Sequence, residues 1–318
     1  MKILFITATY LGDGILTTGA LDYLIHLYPD AEITVACGPV VAGIFAAAPN
    51  VRKVIALKKE PYAGHWIKLA RQTFGQRWDI IVDLRNSLLS RLMPAGKKYI
   101  WGASDPRKHK VEQVAEIMGG IRPPPAPRLW FDAATIEKAD KISPAGAPIL
   151  AIGPAANWPG KEWPVENYIA LVRKLTADDG ILPGARVAVV AAPGEELRAW
   201  PVLNAVSKER QIDVIAKGPP LLGAAVLRRA ALYVGNDSGL THAAAAAGAP
   251  TLALFGYGWP ETYRPWGEKC AWVSTPETPA QLMQGRGLPR EVKTSLMTSL
   301  TVTAAHEAAV KLWQNLHQ

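Results

Sequence analysis

The sequence predicts an α/β protein made of two doubly wound parallel-sheet domains that face a central cleft. Three observations carry this expectation. Short apolar runs alternate with helical segments through the first half of the 318 residues. A breaker cluster, Arg122-Pro123-Pro124-Pro125-Ala126-Pro127, interrupts that alternation, and a second follows at Ser143-Pro144-Ala145-Gly146. The same alternation then restarts. A βαβα order implies parallel strands whose crossover helices cover both faces, and a chain of this length holds two ordinary domains.

In chain order, apolar runs bounded by turn residues place strands at 2–7, 32–36, 53–57, 80–84 and 98–101. Helical patterns fill the gaps at 15–28, 39–47, 63–74 and 111–118. After the breakers, strands are expected at 149–153, 186–191, 212–215, 232–234 and 251–255, with helices at 165–176, 195–206 and 221–230. A short Ala-rich helix closed by Gly248 follows the strand at 232–234, and a last helix at 304–316 follows an irregular stretch over 275–299. The expected division is 1–145, 146–300, and a C-terminal helix in 301–318 that packs back on the first domain.

Composition narrows the class. Hydrophobic residues make up 49% and charged residues 19%, the balance of a folded soluble protein. No apolar run approaches the roughly 18 residues that cross a bilayer, and Lys2-Ile3-Leu4-Phe5-Ile6 is too short for a secretory core. The two cysteines, Cys37 and Cys270, lie far apart, which argues for a reducing compartment and against a disulfide framework or metal cage. A cytoplasmic location is expected. The net charge of +8 is concentrated between Arg52 and Arg128, where 16 Lys or Arg stand against 6 Asp or Glu. Such a segment suits a phosphorylated substrate or an anionic membrane face, or is a solvated basic surface. No nucleic-acid motif accompanies it, so nucleic acid is not an expected partner.

Val234-Gly235-Asn236-Asp237-Ser238-Gly239-Leu240-Thr241-His242 is the most informative stretch. A strand feeds a tight polar turn that opens a helix, aiming free N–H groups and the positive helix end at one point, which suits a diphosphate. Ser238 and Gly239 would offer backbone N–H groups. His242 could donate to a phosphate or pack in the helix. Asp237 would repel phosphate and is expected to cap or position. Asp13, between Gly12 and Gly14, could cap a helix or serve as a general base. Lys161, in Trp158-Pro159-Gly160-Lys161-Glu162-Trp163-Pro164, could neutralise phosphate or decorate the surface. Glu195 could steady a helix or accept hydrogen bonds from ribose hydroxyls.

The Gly12-Asp13 turn, the block from Trp158 to Pro164 and the turn from Gly235 to His242 together resemble glycosyltransferase family 9, the ADP-heptose:lipopolysaccharide heptosyltransferases. The segment Arg77 to Ser87 and Phe255-Gly256-Tyr257-Gly258-Trp259-Pro260 are similar to further family segments. The resemblance implies a GT-B fold of two Rossmann-like domains and an inverting glycosyltransferase with no metal or other cofactor. It implies Asp13 as catalytic base, Lys161 and Asn157 on donor phosphate, and Glu195 on the donor ribose. Asp237, Ser238, Gly239 and His242 would form the diphosphate turn. Its partners would be ADP-heptose and a phosphorylated lipid such as Kdo-lipid A, reached from the anionic inner-membrane face. Thr7, Gly14 and Gly218 depart from the family's usual residues. They leave open another nucleotide sugar or acceptor, or a catalytically silent protein that binds a nucleotide or anionic lipid.

Overall fold

The computed structural model describes residues 1–287 and 291–317. The chain divides into two compact units, Met1–Asp132 and a second from Ala133 onward. In the first, β1 (Lys2–Ile6), α1 (Leu11–Leu16), α2 (Thr18–Leu27), β2 (Glu32–Cys37), α3 (Pro39–Ala46) and β3 (Val51–Ala56) are followed by α4 (Gly64–Thr73), β4 (Trp78–Asp83), α5 (Leu88–Leu92), β5 (Ala95–Ile100) and α6 (Lys110–Ile117). Its five strands are ordered β3-β2-β1-β4-β5 and all neighbours run parallel. Side chains alternate across a strand, so β1 feeds two cores. Ile3 and Phe5 join Ile33, Val35 and residues of α2, α3 and α6 on one face. Leu4 and Ile6 join Leu69 of α4, Trp78, Met93 and the partly buried Leu89 of α5 on the other.

The second unit contains α7 (Ala133–Ile142), β6 (Ile149–Gly153), α8 (Val165–Thr176), β7 (Arg186–Ala191), α9 (Glu196–Asn204), β8 (Gln211–Ile215), α10 (Pro220–Leu227) and β9 (Leu232–Asn236). It continues with α11 (Gly239–Ala246), β10 (Thr251–Phe255), α12 (Pro260–Tyr263), β11 (Cys270–Ser274), α13 (Pro279–Met283) and α14 (Val302–Leu316). The six strands are ordered β11-β10-β9-β6-β7-β8, again all parallel. Leu150, Ile152, Val187, Val189, Val234 and Leu252 pack beneath α8, α9 and α14. The expected doubly wound α/β architecture is therefore present in both units.

Several expectations change. The boundary falls at Asp132 rather than 145, because α7 belongs to the second unit. α7 packs on α10, and Arg229 donates to Asp140 at 2.8 Å and to the Ser143 carbonyl at 2.6 Å. The C-terminal helix was expected on the first domain. Instead Ala305, Ala309 and Leu312 of α14 are buried in the core of its own unit, against α8, β10 and β11. The helix expected over 15–28 is two helices, broken at Thr17, whose hydroxyl donates back to the Gly14 carbonyl at 2.7 Å. β11 was not expected; it is an edge strand whose residues are only partly covered, so its apolar pattern is weak.

Candidate active site

In a doubly wound sheet, ligands bind beyond the carboxyl ends of the strands where the strand order reverses. The reversal lies between β1 and β4 in the first unit and between β6 and β9 in the second. The ends of those four strands and the segments that follow them carry Asp83, Asp13 in the first turn of α1, the segment from Pro154 to Lys161, and Asp237. Asp13, Lys161 and the turn at Asp237 thus fall at the two switch points, whereas Glu195 follows β7 and the segment from Phe255 leaves β10.

Asp13 is not the cap of α1. Tyr10 occupies that position, and Asp13 lies in the first helical turn. Its carboxylate accepts no hydrogen bond among the described residues, which removes the capping role as an account of it. Gly14 is needed where it stands, because a Cβ there would meet Val41 Cγ1 of α3 at 2.7 Å. The charge that Asp13 faces was not foreseen. Lys110, the first residue of α6, holds its ammonium 3.7 Å from the centroid of the Trp101 ring. Burial pulls this ammonium below the ordinary lysine value, and the Asp13 carboxylate pushes it back up. Asp83, at the end of β4, is a structural acid by contrast. It is fully buried and accepts from the Arg85 and Ser87 amides at 2.8 and 2.7 Å and from the Ser87 and Ser90 hydroxyls at 2.5 and 2.7 Å.

In the second unit the two switch-point loops are joined by Asn236. Its side chain is fully buried. Oδ1 accepts from the Trp163 amide at 3.0 Å and the Tyr168 hydroxyl at 2.8 Å, and Nδ2 donates to the Pro154 carbonyl at 2.8 Å. This one amide ties the end of β9 to the loop that carries Asn157 and Lys161. The Lys161 ammonium then reaches the Asp237 carboxylate and forms an ion pair with it. The Asp237 amide extends the sheet by donating to the Leu254 carbonyl at 3.0 Å.

α11 starts immediately after Ser238, whose side chain makes no capping bond. The first helical N–H groups, from Gly239 onward, have no acceptor within the helix, and the dipole adds positive potential at the same place. Thr241 and His242 lie buried in the first turn. The Thr241 hydroxyl donates to the Asn236 carbonyl at 2.5 Å and contacts the Tyr233 hydroxyl at 3.3 Å. The Tyr233 phenol in turn fills the space above Gly153 and Gly235, which are register partners on β6 and β9. A Cβ on either glycine would come within 2.1 or 2.2 Å of that hydroxyl. The loop after β10 completes the site, since Gly258 approaches so closely that a Cβ there would stand 3.0 Å from Asp237 Oδ2. Tyr257 meets Trp158 edge to face, with ring centroids 5.2 Å apart.

The remaining candidates lie around this turn. Asn157 is exposed on the β6–α8 loop. Glu195 folds back over its own turn, and Oε2 accepts from the Ala192 amide at 2.8 Å. Glu162, beside Lys161, is half-buried and accepts from the Ala156 amide at 2.9 Å and Arg198 at 2.5 Å. Burial nevertheless raises its carboxyl above the ordinary value. Trp259 is largely exposed. Among the described residues, no group of three or more His, Cys, Asp or Glu side chains could hold a metal ion.

Known proteins resemble this chain in sequence and in fold. Residues 99–288 match glycosyltransferase family 9 (heptosyltransferase). The chain is 27% identical to lipooligosaccharide heptosyltransferase 2 of Haemophilus influenzae over 85% of its own length and 87% of that protein. Among solved structures, a glycosyl transferase family 9 protein of Veillonella parvula superposes with a TM-score of 0.76 at 18% identity, covering 99% of this chain and 97% of the other. The E. coli ADP-heptose lipopolysaccharide heptosyltransferase II gives a TM-score of 0.74 at 18% identity, with both chains fully covered. The paired parallel sheets are those of the GT-B fold. The chain belongs to glycosyltransferase family 9, the heptosyltransferase family, and is a glycosyltransferase.

Proposed function

We propose that the protein transfers heptose from ADP-heptose to the inner core of lipopolysaccharide with inversion at the anomeric carbon, in the cytoplasm. The observation that carries this reading is the second-unit switch point. There the Lys161 ammonium, steered by Asp237, and the open N-terminus of α11 offer preformed positive charge for a diphosphate. In this reading the second unit holds the nucleotide sugar, with Ser238, Gly239 and His242 on the diphosphate, Asn157 beside it and Glu195 on the ribose. The first unit holds the acceptor, a phosphorylated lipid such as Kdo-lipid A.

An acceptor hydroxyl oxygen attacks the anomeric carbon while the Asp13 carboxylate takes its proton. The bond from that carbon to the β-phosphate oxygen breaks, and its electron pair leaves on ADP. Charge grows on the leaving phosphate, where fixed donors stabilise it without having to reorganise. Lys161, already placed by its carboxylate, is such a donor. The half-buried Lys110 adds positive potential on the Asp13 side.

Calorimetric titration with ADP, UDP, GDP and dTDP, on the wild type and Lys161→Ala, tests the donor assignment. Selective ADP binding that Lys161→Ala weakens supports it. Preference for another nucleotide would overturn the heptose assignment, which Gly218 and its close neighbour Leu222 bring into question on the base side. Binding of none of the four would favour a silent protein.

A further inference from the structure

The stretch 292–300 forms neither helix nor strand, yet it is firmly anchored. Val292, Leu296, Met297 and Leu300 are buried, and Met297 and Leu300 join the core of the second unit. The polar groups among these anchors converge on one short piece of chain. Trp158 Nε1 donates to the Val292 carbonyl at 3.1 Å, and the Leu296 amide donates to the Gly160 carbonyl at 3.2 Å. The Ser295 hydroxyl donates to the Glu162 carbonyl at 2.5 Å, and Trp163 Nε1 donates to the Leu300 carbonyl at 2.8 Å. Hydrogen bonds between residues 133 to 137 positions apart thus fall together on 158–163. The same stretch also meets the loop after β10, where a Cβ on Gly256 would stand 2.5 Å from Met297 Cγ.

Lys161 lies at the centre of this contact. The carbonyls on either side of it, those of Gly160 and Glu162, are taken by adjacent residues of the distant stretch, Leu296 and Ser295. The Glu162 side chain is held as well, by the Ala156 amide and Arg198. Because the Ser295 oxygen accepts from the Met297 amide at 3.0 Å, its proton is left for the Glu162 carbonyl. A lysine side chain has about 2 kcal/mol of rotamer entropy to lose, so the direction that its backbone sets decides where the ammonium dwells. Here that direction leads to Asp237. Core packing accounts for Met297 and Leu300. It does not account for a hydroxyl and an amide aimed at the two carbonyls that flank one cation.

We infer that Ser295 is a positioning residue for Lys161, and that the stretch 292–300 fixes the backbone on both sides of this cation and so aims its ammonium. Asn236 ties the same loop to β9, and 292–300 holds it at a second set of points. The consequence for donor binding rests on the Proposed function, in which Lys161 meets the diphosphate. A cation already in place then stabilises the leaving charge without reorganising.

Two readouts on Ser295→Ala test this. The first is acylation of Lys161 by a small amine-reactive ester in the native protein without nucleotide, measured by peptide mass spectrometry against the exposed Lys208. Ser295→Ala should raise the rate at Lys161 several-fold relative to Lys208, and an unchanged ratio would overturn the inference. The second is calorimetric titration with ADP and with adenosine. Ser295→Ala should weaken ADP by about fivefold, the worth of one hydrogen bond. Adenosine affinity should stay as in the wild type, which a general loosening of the fold would not allow. In a Lys161→Ala background the same substitution should cost no further ADP affinity, because residues acting through one another do not add. A full loss in that background, or an equal loss for adenosine, would overturn the inference. Faster acylation with ADP affinity untouched by both Ser295→Ala and Lys161→Ala would uphold the positioning and remove Lys161 from the donor site. Failure of the Proposed function is thereby told apart from failure of this inference.

Discussion

Replacing Asn236 with Ala should be among the most damaging single changes in the second unit, although Asn236 is placed to touch no substrate. The side chain is fully buried and makes three hydrogen bonds, from the Trp163 amide, from the Tyr168 hydroxyl and to the Pro154 carbonyl. Alanine leaves the Trp163 amide and the Pro154 carbonyl without a partner and the Tyr168 hydroxyl with only the long contact to the Gly153 carbonyl at 3.5 Å, and each buried orphan costs roughly 1–3 kcal/mol. The Trp163 amide and the Pro154 carbonyl belong to a loop that can shift toward water, so the lower part of the range applies and the expected loss is about 4 kcal/mol. Tyr168→Phe is the calibrating variant. It removes one donor and leaves Oδ1 still bonded to the Trp163 amide, for a cost of about 1 kcal/mol. Urea unfolding followed by tryptophan fluorescence measures both. With a slope of about 2 kcal/mol/M, the Asn236→Ala midpoint should drop by about 2 M and that of Tyr168→Phe by about 0.5 M. ADP affinity should fall in Asn236→Ala, since the loop carrying Lys161 loses its tie to β9. A midpoint for Asn236→Ala no lower than that of Tyr168→Phe would refute the claim that this amide fastens the two loops.

Further expectations concern chemistry and charge. Asp13→Ala should lower transfer by about 10²–10⁴ with ADP affinity unchanged in calorimetry; undiminished turnover would remove it as the base. Lys110→Met should reduce transfer several-fold and also spare ADP binding, so equal activity would show that its charge does not reach the reaction. Glu162 bears on pH dependence. Burial raises its folded value above the ordinary 4.5, so the folded state binds the extra proton and stability from this group falls as pH rises from 4.5 through the raised value. The difference in urea midpoint between wild type and Glu162→Gln should therefore change across that window, and a constant difference would contradict it. Burial pushes both Cys37 and Cys270 thiols up to about 12, so neither should react with a thiol reagent near neutral pH until the protein unfolds; prompt labelling of the native protein would count against this.

Most of the strand positions were legible because buried parallel strands are short, apolar and separated by strong turn residues. Each motif lay at the end of such a run, so its position on a carboxyl-end loop followed from the same pattern. What stayed hidden depends on pairings distant in sequence. Lys161 and Asp237 are 76 residues apart, and only the adjacency of β6 and β9 joins them. The Asp13 carboxylate acts on the Lys110 ammonium from far along the chain, and no local signal records that proximity. Asn236 could be read as a turn residue, but its three partners could not. α7 escaped notice because only Ala139 is buried along it and breakers stand on both sides. The destination of α14 depended on which of two cores its alanine stripe would enter.

The Tyr233 phenol, wedged over Gly153 and Gly235 and touching Thr241, sets a limit on redesign. The two strand ends, the turn and the first coil of α11 are gauged by one ring. A methyl group on either glycine would displace the ring, and the displaced ring would carry Thr241 with it. Attempts to retune the anion site by exchanging the turn alone would import a helix start cut to a different gauge. A transplant would have to move Gly153, Tyr233, Gly235, Asn236 and Thr241 as one block, because none of these five has a fit that is its own.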